Sequence, residues 1–191
     1  MKRHIILLIA FVLMSAQLFA QTPVYLTKAY KPVESDRYTA YSSLEIQGGD
    51  TWNNCFTLGV INNYHGYATF NIGGKYESIS FILGAEKSNG GNDPNIVQIH
   101  ADGKRIFDHV LRDGDLGQQF TLNISGVDKL EFSLVKPEVE AAFCEVALWT
   151  KGQTPHDLRG KNDPEVKTRM LFRDIAPYRM NGSSFNSQGD G

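Results

Sequence analysis

The sequence predicts an all-β chain, a jelly-roll-type antiparallel β-sandwich with a short C-terminal helix. Two observations carry this. Between Ile96 and Val135 apolar residues recur with period two, as in Phe120, Leu122, Ile124 and again Leu130, Phe132, Leu134, with polar residues between them. These runs are broken every eight to twelve residues or so by Gly and Asp turns, including Asp102-Gly103, where glycine tolerates the positive φ of a tight hairpin. Short strands at that spacing belong in a sandwich or barrel, and Ile79, Phe81 and Leu83 join the six residues above as the expected core.

In chain order, Lys2 and Arg3 precede an apolar run from Ile5 to Met14, and Ala20-Gln21 forms a cleavage-like boundary. This reads as a signal peptide over 1–20, since a membrane span needs about 18 or more apolar residues. The expected location is therefore periplasmic or extracellular, with no membrane span after cleavage. Residues 21–36, with Pro23 and Pro32, read as an extended lead-in. The sandwich is expected over 37–150. Arg37–Ile46 is its first strand, Gly48-Gly49-Asp50 a break, and Cys55–Ile61 the next strand, preceded by the loop Trp52-Asn53-Asn54 and followed by the loop Asn62–Gly66. Tyr67–Ile72, Ile79–Ala85 and the hairpin around Asp102 follow. Glu140–Trp149 closes the domain, with Ala142, Cys144, Val146 and Leu148 as its core face and Phe143, Glu145, Ala147 and Trp149 opposite.

After Thr150 the character changes. Asp163-Pro164-Glu165 is an N-cap, a proline at the first helical position and an acidic first turn, so a short amphipathic helix is expected within the 151–180 extension. Residues 181–191 read as a disordered tail. The helix reads most simply as a lid on the sandwich; a protein partner is its other use.

The leader carries two of the 19 basic residues and none of the 21 acidic ones, so the mature chain is more acidic than the overall charge of −2. A mixed, acidic surface argues against nucleic acid, which selects a basic stripe. The two cysteines, Cys55 and Cys144, lack metal-site spacing. An oxidising compartment allows a disulfide between them, and two separate buried thiols is the other reading.

Sugar binding needs an aromatic plane for the C–H face of a pyranose, with amides, carboxylates or imidazole around it for the hydroxyls. Trp52 and Asn53 in one loop, and Asn63, Tyr64 and His65 in the next, offer that mixture, although a loop tryptophan also packs over a sandwich edge. A seven-residue strand spans roughly 23 Å, so the two loops can share a site only if Cys55–Ile61 is bent. The Asn62–His65 loop is favoured because it holds both a ring and an imidazole. Glu145 and Trp149 form a second candidate face, with an ordinary surface glutamate as the plainer reading of Glu145. Asn89–Asp93 and Asp113–Asp115 offer hard oxygens that suit Ca²⁺, but read first as solvated turns, so no cofactor is expected. No GxSxG or HExxH motif occurs, and Asp102, Asp108, Asp113 and Asp115 sit in or beside turns, where Asp is favoured, so catalysis is not expected.

Ile72-Gly73-Gly74-Lys75-Tyr76, the strand Ile79–Ala85, Ala101-Asp102-Gly103-Lys104, Ile106-Phe107-Asp108, Val110-Leu111 and Ile124–Leu130 together resemble the NPCBM family, also known as carbohydrate-binding module family 51. The resemblance runs from about Tyr41 to Trp149. It implies a jelly-roll sandwich that binds sugars, often attached to glycoside hydrolases; the expected function is a secreted non-catalytic module taking a terminal, galactose-like sugar in a shallow site formed by loops at one rim of the sandwich. Two details differ. His65 stands about two residues nearer its strand than the family's histidine, and Glu145 is followed by Val146 where the family carries Trp. The alternative function is accordingly an envelope or periplasmic structural or protein-interaction domain that has lost sugar binding.

Overall fold

Period-two alternation becomes two antiparallel sheets whose apolar faces meet. The computed structural model describes residues 22–61, 64–86, 93–136, 139–155 and 157. The chain divides into two compact units, 1–155 and 156–191. The first unit comprises β1 (Val24–Tyr25), α1 (Leu26–Ala29), β2 (Glu34–Asp36), β3 (Tyr38–Glu45), β4 (Thr51–Leu58), β5 (Val60–Ile61), β6 (Tyr64–His65), β7 (Tyr67–Asn71), β8 (Ser78–Ala85), β9 (Asn95–Ala101), β10 (Lys104–Leu111), β11 (Gln118–Asn123), β12 (Lys129–Leu134) and β13 (Ala141–Trp149). One sheet has the order β11-β8-β13-β4-β3, with β1 also on β13; the other runs β10-β9-β12-β7-β2; β5 and β6 form a separate ribbon. No helix among the described residues is long and apolar enough to cross a membrane.

The expected sandwich is the observed one. Ile79, Phe81, Leu83, Ile124, Leu130, Phe132 and Leu134 are buried in the inter-sheet core, while Phe120 and Leu122, on the edge strand β11, are only partly covered. The centre is aromatic: Phe56 stacks on Phe143 at 4.8 Å between centroids, and Phe132 meets both rings edge-on. The Asp102-Gly103 hairpin joins β9 to β10 with Ala101 opposite Lys104.

Three expectations are corrected. The lead-in is not simply extended: Val24 and Tyr25 pair with β13, and the single turn of α1 puts Leu26 into the core. Trp52, Asn53 and Asn54 are part of β4 and not a loop before it. In β13 the anticipated single core face does not exist. The register shifts between Cys144 and Ala147, and Glu145 has φ 48°. One extra residue inverts the alternation of a strand. Ala141, Phe143, Val146 and Leu148 therefore face the core, whereas Ala142, Cys144, Ala147 and Trp149 are buried on the opposite, outer side.

At the Ala142 end that outer side is covered by the β3–β4 hairpin, which folds back across it. β4 pairs with β13 only from Leu58 to Phe56, and β1 takes the place beside β13 that β4 leaves. Past β4's start, Ile46 forms a bridge with Glu86, and Gln47 N–H donates to Ala85 O, so the hairpin tip reaches the end of β8 on the far side of β13. Ile46 lies there on the two residues that carry no side chain. A Cβ at Gly84 would stand 2.8 Å, and one at Gly117 2.7 Å, from Ile46 Cδ1. We expect Gly84→Ala to lower stability by about 1–3 kcal/mol through this overlap. In combination with Ile46→Val, which removes the colliding methyl, the loss should be smaller than the sum of the two single changes, as read by denaturant unfolding.

Candidate functional site

The point where β4 leaves β13 collects the groups best suited to hold a ligand. Directly beyond the last ladder pair, Phe56 opposite Phe143, Cys55 and Cys144 face each other and are joined by a disulfide, with Cα atoms 4.0 Å apart. Their neighbours on the diverging side, Asn54 and Glu145, both have left-handed backbones, φ 51° and 48°. Such conformations in residues other than glycine mark positions that the surrounding structure over-determines, and they cluster at functional sites.

Glu145 spans the gap. Its Oε1 accepts the Asn53 backbone N–H at 3.1 Å, and its Oε2 accepts Asn54 Nδ2 at 3.4 Å. From the other side it is hydrogen-bonded to the Tyr25 hydroxyl. Lys28, one turn further on, sets its ammonium 5.3 Å from the centre of the Tyr25 ring, a cation–π contact. Lys28 and Asn53 are exposed; Tyr25 and Glu145 are half-buried. Burial, and then the Glu145 charge and hydrogen bond, hold the Tyr25 phenol above its ordinary value. The fork thus offers an aromatic ring, an ammonium and a free amide around a carboxylate already committed to three donors.

The structure brings Asn53 and Glu145 together, and Trp52 lies next to them in β4. The Trp52 ring is turned onto the hairpin's underside: its Nε1 lies 3.7 Å from where a Gly117 Cβ would stand, and it is buried without a hydrogen-bond partner. Trp149 is corrected outright. It is fully buried, and its Nε1 donates to Ser80 Oγ at 2.8 Å, because the bulge turns it under the outer layer. His65 is exposed on β6, beyond the opposite end of β4. β4 does bend, but its bend carries Trp52 over the sheet; no hydrogen bond, ion pair or ring contact among the described residues joins it to His65. Asn63 and the Tyr64 side chain lie outside the described residues, as do the signal peptide, residues 87–92, the 163–174 helix and the tail.

Sequence reasoning missed Tyr25 and Lys28. The trace that could have found them is the run Val24-Tyr25-Leu26, too apolar for a free lead-in. Among the described residues no group of three His, Cys, Asp or Glu could hold a metal. The Asp113 and Asp115 carboxylates serve the turn and its neighbour, accepting Gln47 Nε2 and Arg112 N–H.

A different carboxyl pair stands where β8 ends and β13 begins. Glu86 N–H donates to Glu140 O, and burial, together with a hydrogen bond to the Glu140 carboxyl and its charge, pushes the Glu86 side chain up to about 7.

The NPCBM/NEW2 domain family profile matches residues 15–153. Three solved structures share the fold. A CBM51 module of a Clostridium perfringens GH95 protein, in complex with methyl-galactose, is 12% identical over 66% of this chain and 99% of that one, with TM-score 0.53. Tandem CBM51 modules of a Streptococcus pneumoniae family 98 glycoside hydrolase are 12% identical over 71% of this chain and 49% of theirs, with TM-score 0.55. The M60 catalytic domain with two CBM51 domains of Clostridium perfringens ZmpB is 16% identical over 69% of this chain, which spans only 15% of that one, with TM-score 0.54. No curated protein sequence matches.

The contacts of Glu145 and Glu86 predict two outcomes. Glu145→Gln should bring the Tyr25 titration down towards, though not to, the ordinary tyrosine value, because the charge goes and the burial stays; ultraviolet titration reads this. For Glu86 the folded value is raised, so its contribution to stability is complete below about pH 4 and is lost as pH rises through about 7. Melting temperature should fall from about pH 5 to about pH 7 and level off above that, and Glu86→Gln should flatten that fall.

Proposed function

Because the chain belongs to the NPCBM/NEW2 domain family, we propose that it is an exported, non-catalytic carbohydrate-binding module that takes a galactose-like sugar at the fork between β4 and β13. The observation that carries the location is that Tyr25, Lys28, Asn53 and Glu145 meet at one partly exposed spot, with buried Asn54 bonded to Glu145 beside them. A pyranose places its C–H face on an aromatic ring and its hydroxyls against amides and charged groups. Here the ring is Tyr25, the free amide is Asn53, and Glu145 holds both in place. The galactose class is taken from the neighbour solved with methyl-galactose and is the first probe to try.

The departure from the family at Val146 does not weaken this reading. Val146 is buried in the inter-sheet core, so its identity changes packing and not the surface a ligand would meet. Export is supported by the leader at residues 1–20 and by the disulfide, which suits an oxidising compartment.

A glycan array probed with the mature protein tests the proposal. Retention of galactose-terminated glycans is expected. Asn53→Ala and Tyr25→Ala should each weaken retention about tenfold or more, the loss of a buried or charge-assisted contact. Retention that survives both, but disappears in the Tyr64→Ala/His65→Ala pair, would move the site to the β5–β6 ribbon. No retained glycan at all would leave the protein-interaction reading.

A further inference from the structure

We propose that the Cys55–Cys144 disulfide is the positioning element of the ligand site, fixing the Asn53–Asn54 segment against Glu145, and that the sandwich itself does not depend on it. The proposal rests on the site reading above and deepens it. Three observations carry it.

The first is where the bond sits. The β4–β13 ladder ends at Phe56 and Phe143, and the cysteines are the next residues on each strand. Beyond them no ladder pair joins the two strands among the described residues. The connections across the opening are the disulfide and the two hydrogen bonds that Glu145 accepts. Remove the covalent link, and the direct ties left between Asn53–Asn54 and Glu145 are an amide and a carboxamide on one carboxylate, one of them at 3.4 Å; the segment's other ties, its ladder with β3 and the hairpin tip at Glu86, do not reach this part of β13.

The second is conformational. Asn54 and Glu145 follow the two cysteines on the opening side, and both are held at positive φ. A glutamate leaves that region when it is free to do so, whereas asparagine tolerates it. A cross-link one residue away denies Glu145 that relaxation.

The third is the independence of the core. Cys55 and Cys144 are buried on the outer side of the sheet, whereas Phe56, Phe132 and Phe143 fill the inter-sheet side. β13 also remains paired to β8 along its length and to β1 past the bulge. The Tyr25–Glu145 contact lies on the β1–β13 ladder, which pairs with no residue of β4. It is therefore an internal control, because a site that loosens only on its β4 half keeps it.

The test compares oxidised protein with Cys55→Ala/Cys144→Ala by amide exchange, ultraviolet titration and glycan-array retention. We expect the Asn53 amide to exchange at least tenfold faster in the double variant, with retention weakened by a similar factor. Tyr25 should still titrate above the ordinary tyrosine value, and the near-ultraviolet signal of the aromatic core should be kept. An Asn53 amide that is as protected as before would overturn the proposal. So would simultaneous loss of the Tyr25 and core signals, which would make the bond a staple for the whole domain. If the double variant does not fold, wild-type protein reduced by a phosphine in native buffer decides the matter. Loss of Asn53 protection with the core signal intact supports the proposal, and loss of both together overturns it. If oxidised protein retains no glycan, the sugar reading fails on its own, while Asn53 exchange still decides what the disulfide does.

Discussion

The bend of β4 away from β13 is the constraint on which the rest of this structure depends. Up to Phe56 the strand is an ordinary member of a sheet; from Asn54 onward it is the outer wall of a second, thinner layer. The bend carries two left-handed residues other than glycine; the conformation costs about 1–2 kcal/mol at Glu145 and less at Asn54, because asparagine tolerates it. Against this stands a disulfide between residues 89 apart in sequence, which contributes about 4–5 kcal/mol in the chain-entropy account. That contribution acts through the unfolded chain; in the folded one the bond tethers the two strands at the point where the bend begins.

From that bend come both the burial of the outer face and the opening of the fork. With β4 diverted, β13 has a free edge beyond Cys144, and β1 fills it with Val24 and Tyr25. The diverted hairpin lays Ile46 over Gly84 and Gly117 and turns Trp52 onto the same surface. The part of the outer face beneath the hairpin accordingly carries Ile82 and Ala142 without exposing them. The small residues are part of the design: one methyl at Gly84 or Gly117 would lift the hairpin tip.

The fold is legible where burial is one-sided. In β12 the sequence pattern leaves one face polar and half-covered, and alternation alone identifies its core residues; β8, buried on both faces, is read only because Ser80 and Gly84 interrupt its second face. The run from Ala141 to Trp149 is not legible in this way, because a strand buried on both faces carries no period-two signal. Its phase change at Glu145 is invisible among apolar neighbours, so the expected core face holds for Val146 and Leu148 and fails for Ala142 and Cys144. Trp149 escapes for the same reason. The site is half legible: Asn53 and Glu145 stand out in segments about ninety residues apart, with nothing to connect them. The connection is available in principle, since pairing Cys55 with Cys144 makes their neighbours meet. Tyr25 and Lys28 are not available, because a two-residue strand and a one-turn helix leave too short a pattern to read.

The hydrogen bonds at the fork also constrain what a ligand could meet there. The Glu145 carboxylate has about four acceptor positions and already serves Asn53, Asn54 and Tyr25. It can offer a sugar hydroxyl little more than one further bond, so it acts chiefly by holding its neighbours. The groups that face outward are the Asn53 amide, the Lys28 ammonium and the Tyr25 ring. Lys28 lies over that ring, and a pyranose stacking on the same face has to move it. An exposed cation–π contact is worth about 0.5–1 kcal/mol, a factor of roughly two to five in affinity. A ligand can recover that if the displaced ammonium finds one of its oxygens. The arrangement therefore favours a sugar with an acceptor oxygen at the edge of the stacked ring over a purely apolar ligand of the same size.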